Sequence, residues 1–220
     1  MYAKREDSLK KTIVIFIILL SATSCSSGVG VIVGGSRIDY KETFSGSSSY
    51  SIGSTSTTGG FHFPDYNNHG FGFHVGVSDE AGLFFYKILY YSNSYQNKKY
   101  NLDGVDYDTE VSENGFRTDL GIKLWYFQPF LSLRTVNGHY KVNQTESEDD
   151  FLDLGFGLNF EVNITDKSYL ALTFVKYNYK ETSTSTTSGS ISGSPISGSS
   201  STVHKIDHLE FGLSYRIILW

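Results

Sequence analysis

Five carboxylates, Asp103, Asp106, Asp108, Glu110 and Glu113, crowd the segment 97–115. Oxygens in such numbers suit a hard cation. Their spacing does not follow the calcium loop that places ligands at positions one, three, five and twelve with glycine at six. Solvated loop charge is the plainer reading, and it serves equally for Glu146, Glu148, Asp149 and Asp150. The histidines are His62, His69, His74, His139, His204 and His208. A hydrolase would need a serine nucleophile beside such a base, and no His-x-Ser pattern supplies one. His62 and His69, with Asp65 and Tyr66 between them, come nearest to a site. No Cys/His metal set, phosphate-binding glycine motif or basic stripe occurs, so the sequence calls for no metal and no cofactor. A formal net charge of −5 weighs against nucleic acid as a partner.

The elements that must hold these residues are strands. Tyr and Phe number 16 each, Gly 22 and Pro only 3, a composition suited to pleated strands and turns. In FLDLGFGLNFEVNI, Leu152, Leu154, Phe156, Leu158, Phe160, Val162 and Ile164 share one face. Asp153, Gly155, Gly157, Asn159, Glu161 and Asn163 share the other. A slip of one residue would exchange the two faces, so register is strongly specified. The same alternation sets Phe116, Leu120, Ile122 and Leu124 against Arg117, Asp119, Gly121 and Lys123. It sets Phe71, Phe73, Val75 and Val77 against His74 and three glycines. It sets Leu209, Phe211, Leu213, Tyr215, Ile217 and Leu219 against His208, Glu210, Gly212, Ser214 and Arg216. In 83–93, Lys87 puts Phe84, Tyr86, Ile88 and Tyr90 on the apolar side. The segments 30–43, 129–141 and 169–180 are less regular. The phase of 30–43 and 169–180 stays open.

Eight strands result, and their connections alternate in length. SGSSSYSIGSTSTTGG (45–60), 97–115 and the Ser/Thr/Gly tract 182–202 are long, and 143–150 is medium. SDEAG (78–82), FQP (127–129) and TDKS (165–168) are short. In an up-and-down antiparallel barrel, alternate connections lie at opposite ends, which collects short turns on one side and long loops on the other. The long tracts are too polar to pack, and mobile external loops are expected.

Alternation alone does not say which face is outside, because a soluble lipocalin-like barrel would reverse the two. The strands are long enough to cross a bilayer. Glycines on the polar face make room in a narrow interior for Arg117, Lys123, Glu161 and Arg216. Tyr90, Tyr91, Tyr95, Trp125, Tyr126, Tyr177 and Tyr179 cluster at strand ends, where rings suit the headgroup level. The expectation is an all-β, eight-stranded antiparallel transmembrane barrel with its apolar face in lipid. Arg117, Asp119, Lys123, Asp153, Glu161, Glu210 and Arg216 then form a charge network in the lumen.

The start of the chain has a different character. Lys4, Arg5, Lys10 and Lys11 precede the apolar run TIVIFIILL and the small residues SATSC. This is the layout of an export signal, with cleavage after Ser24 giving a signal peptide over 1–24 and a barrel over 25–220. The residues before Cys25 resemble a bacterial lipobox, which makes Cys25 a lipidation candidate. The end, FGLSYRIILW, resembles the terminal assembly signal of bacterial outer-membrane proteins through Phe211, Leu213, Tyr215 and Trp220. In architecture the chain resembles small outer-membrane barrels of the OmpA/OmpX type. That resemblance implies a Gram-negative outer membrane with both termini periplasmic. It implies membrane lipid, lipopolysaccharide and the barrel-assembly machinery as partners, with an extracellular ligand unidentified. The function expected is non-enzymatic, a structural or surface-interaction role. A lipid-modifying enzyme, a narrow pore and a soluble secreted barrel are the alternatives.

Overall fold

The computed structural model describes residues 29–219 except 53, 63–65, 103–104, 144 and 192–193. The export segment 1–24, Cys25, Asp65, Asp103 and Trp220 lie outside the described residues. The described chain is strand almost throughout: β1 (Gly30–Ile52), β2 (Thr55–His62), β3 (Tyr66–Ala81), β4 (Phe84–Tyr95), β5 (Lys98–Leu102), β6 (Val105–Ile122), β7 (Phe127–Val142), β8 (Thr145–Thr165), β9 (Ser168–Ile191) and β10 (Ser194–Ile218). β1 pairs with β3 through 30–42 and with β2 through 45–52, so β2 and β3 continue one another. β5 continues β4 along β6 in the same way. The ten segments therefore make eight antiparallel staves. β10 pairs with β1 from Gly30↔Ile218 upwards and closes the ring.

Three hairpins at the end where β1 begins and β10 ends turn on the pairs Gly82-Leu83, Trp125-Tyr126 and Asp166-Lys167. Gly82 takes φ 62°, a conformation that costs glycine nothing. The turn expected at 127–129 falls two residues earlier. Leu124 and Phe127 exchange backbone hydrogen bonds of 2.8 and 3.0 Å, which closes a two-residue loop with Trp125 at φ 55°. Phe127–Pro129 is already strand, with Gln128 1% exposed inside the barrel.

At the opposite end the expected mobile loops are ladder. The segments 55–62, 45–52, 196–203 and 182–189 lie side by side in unbroken register and form a four-stranded Ser/Thr/Gly ribbon above the ring. A second ribbon is built from β5 and the upper parts of β6, β7 and β8. Composition missed this because each ribbon extends a ladder already fixed by the barrel. Adding a rung there satisfies two backbone groups without closing a new loop.

The faces are inverted relative to a soluble protein. Phe71, Phe116, Leu154 and Phe156 are 66%, 61%, 56% and 67% exposed, while Arg117, Asp119, Arg134 and Asp153 are at most 3% exposed. The outward apolar rows of all eight staves join into one belt, far beyond the patch a soluble monomer carries. A lipocalin-like barrel would place those rows inside. The two open phases are settled as well. β9 turns Leu172 and Phe174 outward and Ala171, Thr173, Val175 and Tyr177 inward. β1 turns Val31 and Val33 outward and Ile32, Ile38 and Tyr40 inward.

Two expectations about the wall need correction. Tyr91, Tyr95 and Tyr177 do not stand at the headgroup level but are buried in the lumen, while Tyr90, Trp125 and Tyr126 are on the outside. The inward glycines make room mainly for rings, not for charged chains. A Cβ on Gly121 would meet Phe85 at 2.5 Å, one on Gly155 would meet Tyr177 at 2.5 Å, and one on Gly157 would run into Phe130.

Candidate functional site

The lumen is filled in tiers. Nearest the short turns, Arg216 reaches Glu161 at 2.6 Å and Glu80 at 2.5 Å, and Lys123 donates to Glu80 at 2.7 Å. Above this, Arg117 holds Asp119 at 2.8 Å on its own strand and Glu210 of β10 at 3.0 Å across the barrel. Ser132 donates to Asp119 and hydrogen-bonds the Tyr177 hydroxyl, both at 2.7 Å. One rung higher, Arg134 donates to Asp153 at 3.0 Å and lies 3.7 Å from Glu113, which accepts from the Tyr95 hydroxyl at 2.7 Å. The His208 ring lies against Arg134 and Tyr95 at 3.2 and 3.3 Å. Arg117, Arg134, Arg216 and Lys123 thus find carboxylates in a site where an unpaired charge would be costly, and the buried Lys87 lies over the Phe85 ring, 5.3 Å from its centroid.

A cap of apolar side chains closes the lumen above the ions. Ile38, Tyr40, Tyr95, Val111, Val136, Phe151 and Ile206 form one buried cluster, with Tyr66, Tyr140 and Tyr179 packed against it. Lower down, Phe85, Phe130, Val175 and Tyr177 make a second cluster. On β4, β6, β7, β8 and β10 these residues share their inward rows with charged ones, such as Lys87, Glu113, Arg134, Asp153 and Glu210.

Of the residues expected in the lumen network, Arg117 is joined to Asp119 and Glu210, Arg216 to Glu161, and Asp153 to Arg134, while the half-buried Lys123 reaches Arg216 only through Glu80, which both contact. Sequence reasoning missed Arg134, Glu113 and Glu80 as partners. Arg134 shares its inward row with Phe130, Ser132 and Val136, so alternation in polarity fails exactly where the lumen mixes rings with ions. Glu113 belonged on paper to the acidic loop. Strand alternation sends it inward, while Asp108 and Glu110 stay exposed outside. Glu146 and Glu148 are exposed on β8 near Lys141 and His139, at 3.3 and 4.0 Å.

The histidine candidates divide. His74 and His208 are buried in the lumen. His69 is on the outer wall, where its Nδ1 lies 2.7 Å from Asp39, itself 3.5 Å from Arg37. Asp39 and His69 make a base with an orienting carboxylate. Among the described residues the His69 ring bonds Asp39 and no serine. His62 belongs to β2, within the ribbon. At the foot of that ribbon, His204 Nε2 meets Glu42 at 2.6 Å. The Glu42 hydrogen bond raises the His204 pKa above 6.5, against the lowering effect of burial. No cluster of His, Cys, Asp and Glu able to hold a metal occurs among the described residues. Phe211, Leu213 and Tyr215 face outward on β10, 38%, 50% and 38% exposed, beside the seam with β1.

A closed ring of eight antiparallel staves, apolar outside and ionic within, with short turns at one end and long extensions at the other, is a transmembrane β-barrel of the small outer-membrane type. The chain is similar in fold to the attachment invasion locus protein Ail of Yersinia pestis, solved with the heparin analogue sucrose octasulfate. Identity is 12% over 84% of this chain and 99% of that one, with a TM-score of 0.40. It is similar to the outer membrane protein OprG from Pseudomonas aeruginosa, at 9% identity over 87% and 98% of the two chains and a TM-score of 0.41. It is also similar to Neisserial surface protein A, at 11% identity over 82% and 97% and a TM-score of 0.34. No family model and no curated protein matches the sequence.

Proposed function

We propose that this chain is a non-enzymatic protein of the bacterial outer membrane that holds two β-ribbons at the cell surface for interaction, with both termini in the periplasm. One observation carries the reading: the lumen is blocked along its length by paired ions and capped by the Ile38–Tyr40–Val136–Phe151 cluster. Among the described residues, these ion pairs and this cluster occupy the middle of the lumen. What remains exposed and shaped is the pair of ribbons. In this reading residues 1–24 are an export signal and Cys25 is the lipidation candidate. The assembly machinery reads Phe211, Leu213, Tyr215 and Trp220. Lipid surrounds the belt, and lipopolysaccharide meets the charged rim around Arg37 and His69.

Cell fractionation with detergent extraction, followed by gels of heated and unheated samples, tests the placement. The unheated barrel should run at a different mobility and the protein should partition with outer membranes. Protease added to intact cells should cut within 182–202 and spare the short turns. A protein soluble without detergent, or one cut first at 82–83 and 166–167, overturns the proposal. Steps of conductance in planar bilayers would overturn the blocked lumen. Altered lipid A acylation in cells, lost when His69 is replaced by Ala, would overturn the non-enzymatic reading.

A further inference from the structure

We propose that the Ser/Thr ribbon joins copies of this chain side by side, the outer edge of β2 in one copy pairing with the outer edge of β9 in the next. The inference rests on the outward display of the ribbon set out above. β2 is paired on one side only, by β1, and β9 above Tyr177 is paired on one side only, by β10. Among the described residues no strand lies against the outer side of 55–60 or of 182–189. Each edge therefore presents a row of backbone N–H and C=O groups to its surroundings.

Proteins guard such rows with charge, proline or bulges. The second ribbon does so. Its outer strand on one side reads TESEDD (145–150), and the strand on its other side begins Lys98-Lys99. The Ser/Thr ribbon does not. TSTTGG (55–60) and TSTSTTSG (182–189) hold no charge and no proline. The two ribbons on one barrel thus differ in a feature that decides whether an edge accepts another strand.

Strand direction selects the partner. Copies inserted in one membrane stand the same way up. β9 runs away from the short turns and β2 runs back towards them, so β2 meets a neighbour's β9 antiparallel. Pairing like edges, β2 with β2 or β9 with β9, would force parallel ladders. Width agrees as well. Four strands at about 4.8 Å, tilted by about 40°, span about 25 Å along the membrane. Half the girth of an eight-stranded ring is the same length, and a barrel of that girth with side chains is about as wide. Neighbours joined edge to edge therefore stand wall to wall. A contact between two different edges does not close on itself in a translated array, so the product is a row of barrels.

Cysteine pairs in outer-membrane vesicles test this. Thr58→Cys is combined in turn with Thr182→Cys, Thr184→Cys, Thr186→Cys or Ser188→Cys. Within one copy the two edges are three strand spacings apart, about 14 Å, beyond the roughly 7 Å that a disulfide tolerates. A bond therefore reports on neighbours. The expected result is a non-reducing ladder of dimers and higher species, strongest for one pair. The single-cysteine variants, which keep Cys25, should give none. Ser56→Pro, added to the Thr58→Cys pairs, should abolish the ladder with the heat shift of the barrel unchanged. Monomers from every pair in a heat-modifiable barrel overturn the proposal. So does a ladder from Thr186→Cys alone, which means like edges, or a cross-link to a different protein. Loss of the heat shift or of outer-membrane fractionation in the unaltered protein would instead sink the display reading.

Discussion

The Arg134 guanidinium lies over the Tyr177 ring, 4.0 Å from its centroid, and donates to Asp153 at 3.0 Å. One residue thus ties the ionic tier to the aromatic one, and three staves meet on it. Replacing Arg134 by Ala leaves the buried Asp153 and Glu113 carboxylates without the guanidinium that both contact. The expected loss is about 3–5 kcal/mol, as for breaking a buried pair. Urea unfolding in lipid vesicles measures it. Arg37→Ala, on the exposed outer wall, serves as the control and should shift the midpoint by far less.

Leu158 faces outward in the middle of the apolar row of β8 and is 38% exposed. Leu158→Arg should destabilise the barrel in vesicles by about 2–4 kcal/mol, the cost of a cation at the bilayer midplane. On a water-exposed wall the same change would be near neutral. An unchanged unfolding curve would therefore mean that the belt does not meet lipid.

Gly157 leaves space that the Phe130 ring occupies. Gly157→Ala should cost about 1–3 kcal/mol through overpacking. Phe130→Leu placed in the same chain should recover part of that loss. The double-mutant cycle is read from the same unfolding curves.

The His204–Glu42 pair at 2.6 Å should make the foot of the ribbon sensitive to pH. The histidine pKa is raised on folding, chiefly by the Glu42 hydrogen bond. The pair's contribution is therefore complete below the unfolded value near 6.5 and is lost as pH rises through the higher folded value. Hydrogen exchange of amides near 42–46 and 202–206, corrected for its intrinsic pH dependence, should quicken across that interval. Glu42→Gln should remove the effect.

Deleting 183–201 removes rungs that lie above the ring and leaves the pairing of 30–42 with 206–218 intact. The shortened barrel should insert and keep its heat-dependent mobility. Loss of insertion would assign the ribbon a part in assembly.

The ring was legible along the stretches of a stave where the interior row is polar or glycine. β8 shows this: Leu152 to Val162 outside and Asp153 to Glu161 inside can be read from the letters. The lumen was half legible. Arg117, Glu210 and Arg216 sit opposite clean apolar rows, but Arg134 and Tyr177 share their rows with Phe130 and Val175, and polarity there does not alternate. The ribbons were not legible, because Ser and Thr strings look the same in a coil and in a ladder. What decides between them is the neighbouring stave, which lies far away in sequence.

The seam between β1 and β10 sets the timing of assembly. Each of the 23 residues of β1 has its partner in β10, the last stave of the described chain. Contacts so distant along the chain form slowly. The seam has no partner until β10 is in place. Until then the sheet has two open sides whose backbone groups stand unpaired. The ring is therefore zipped shut in a single late event.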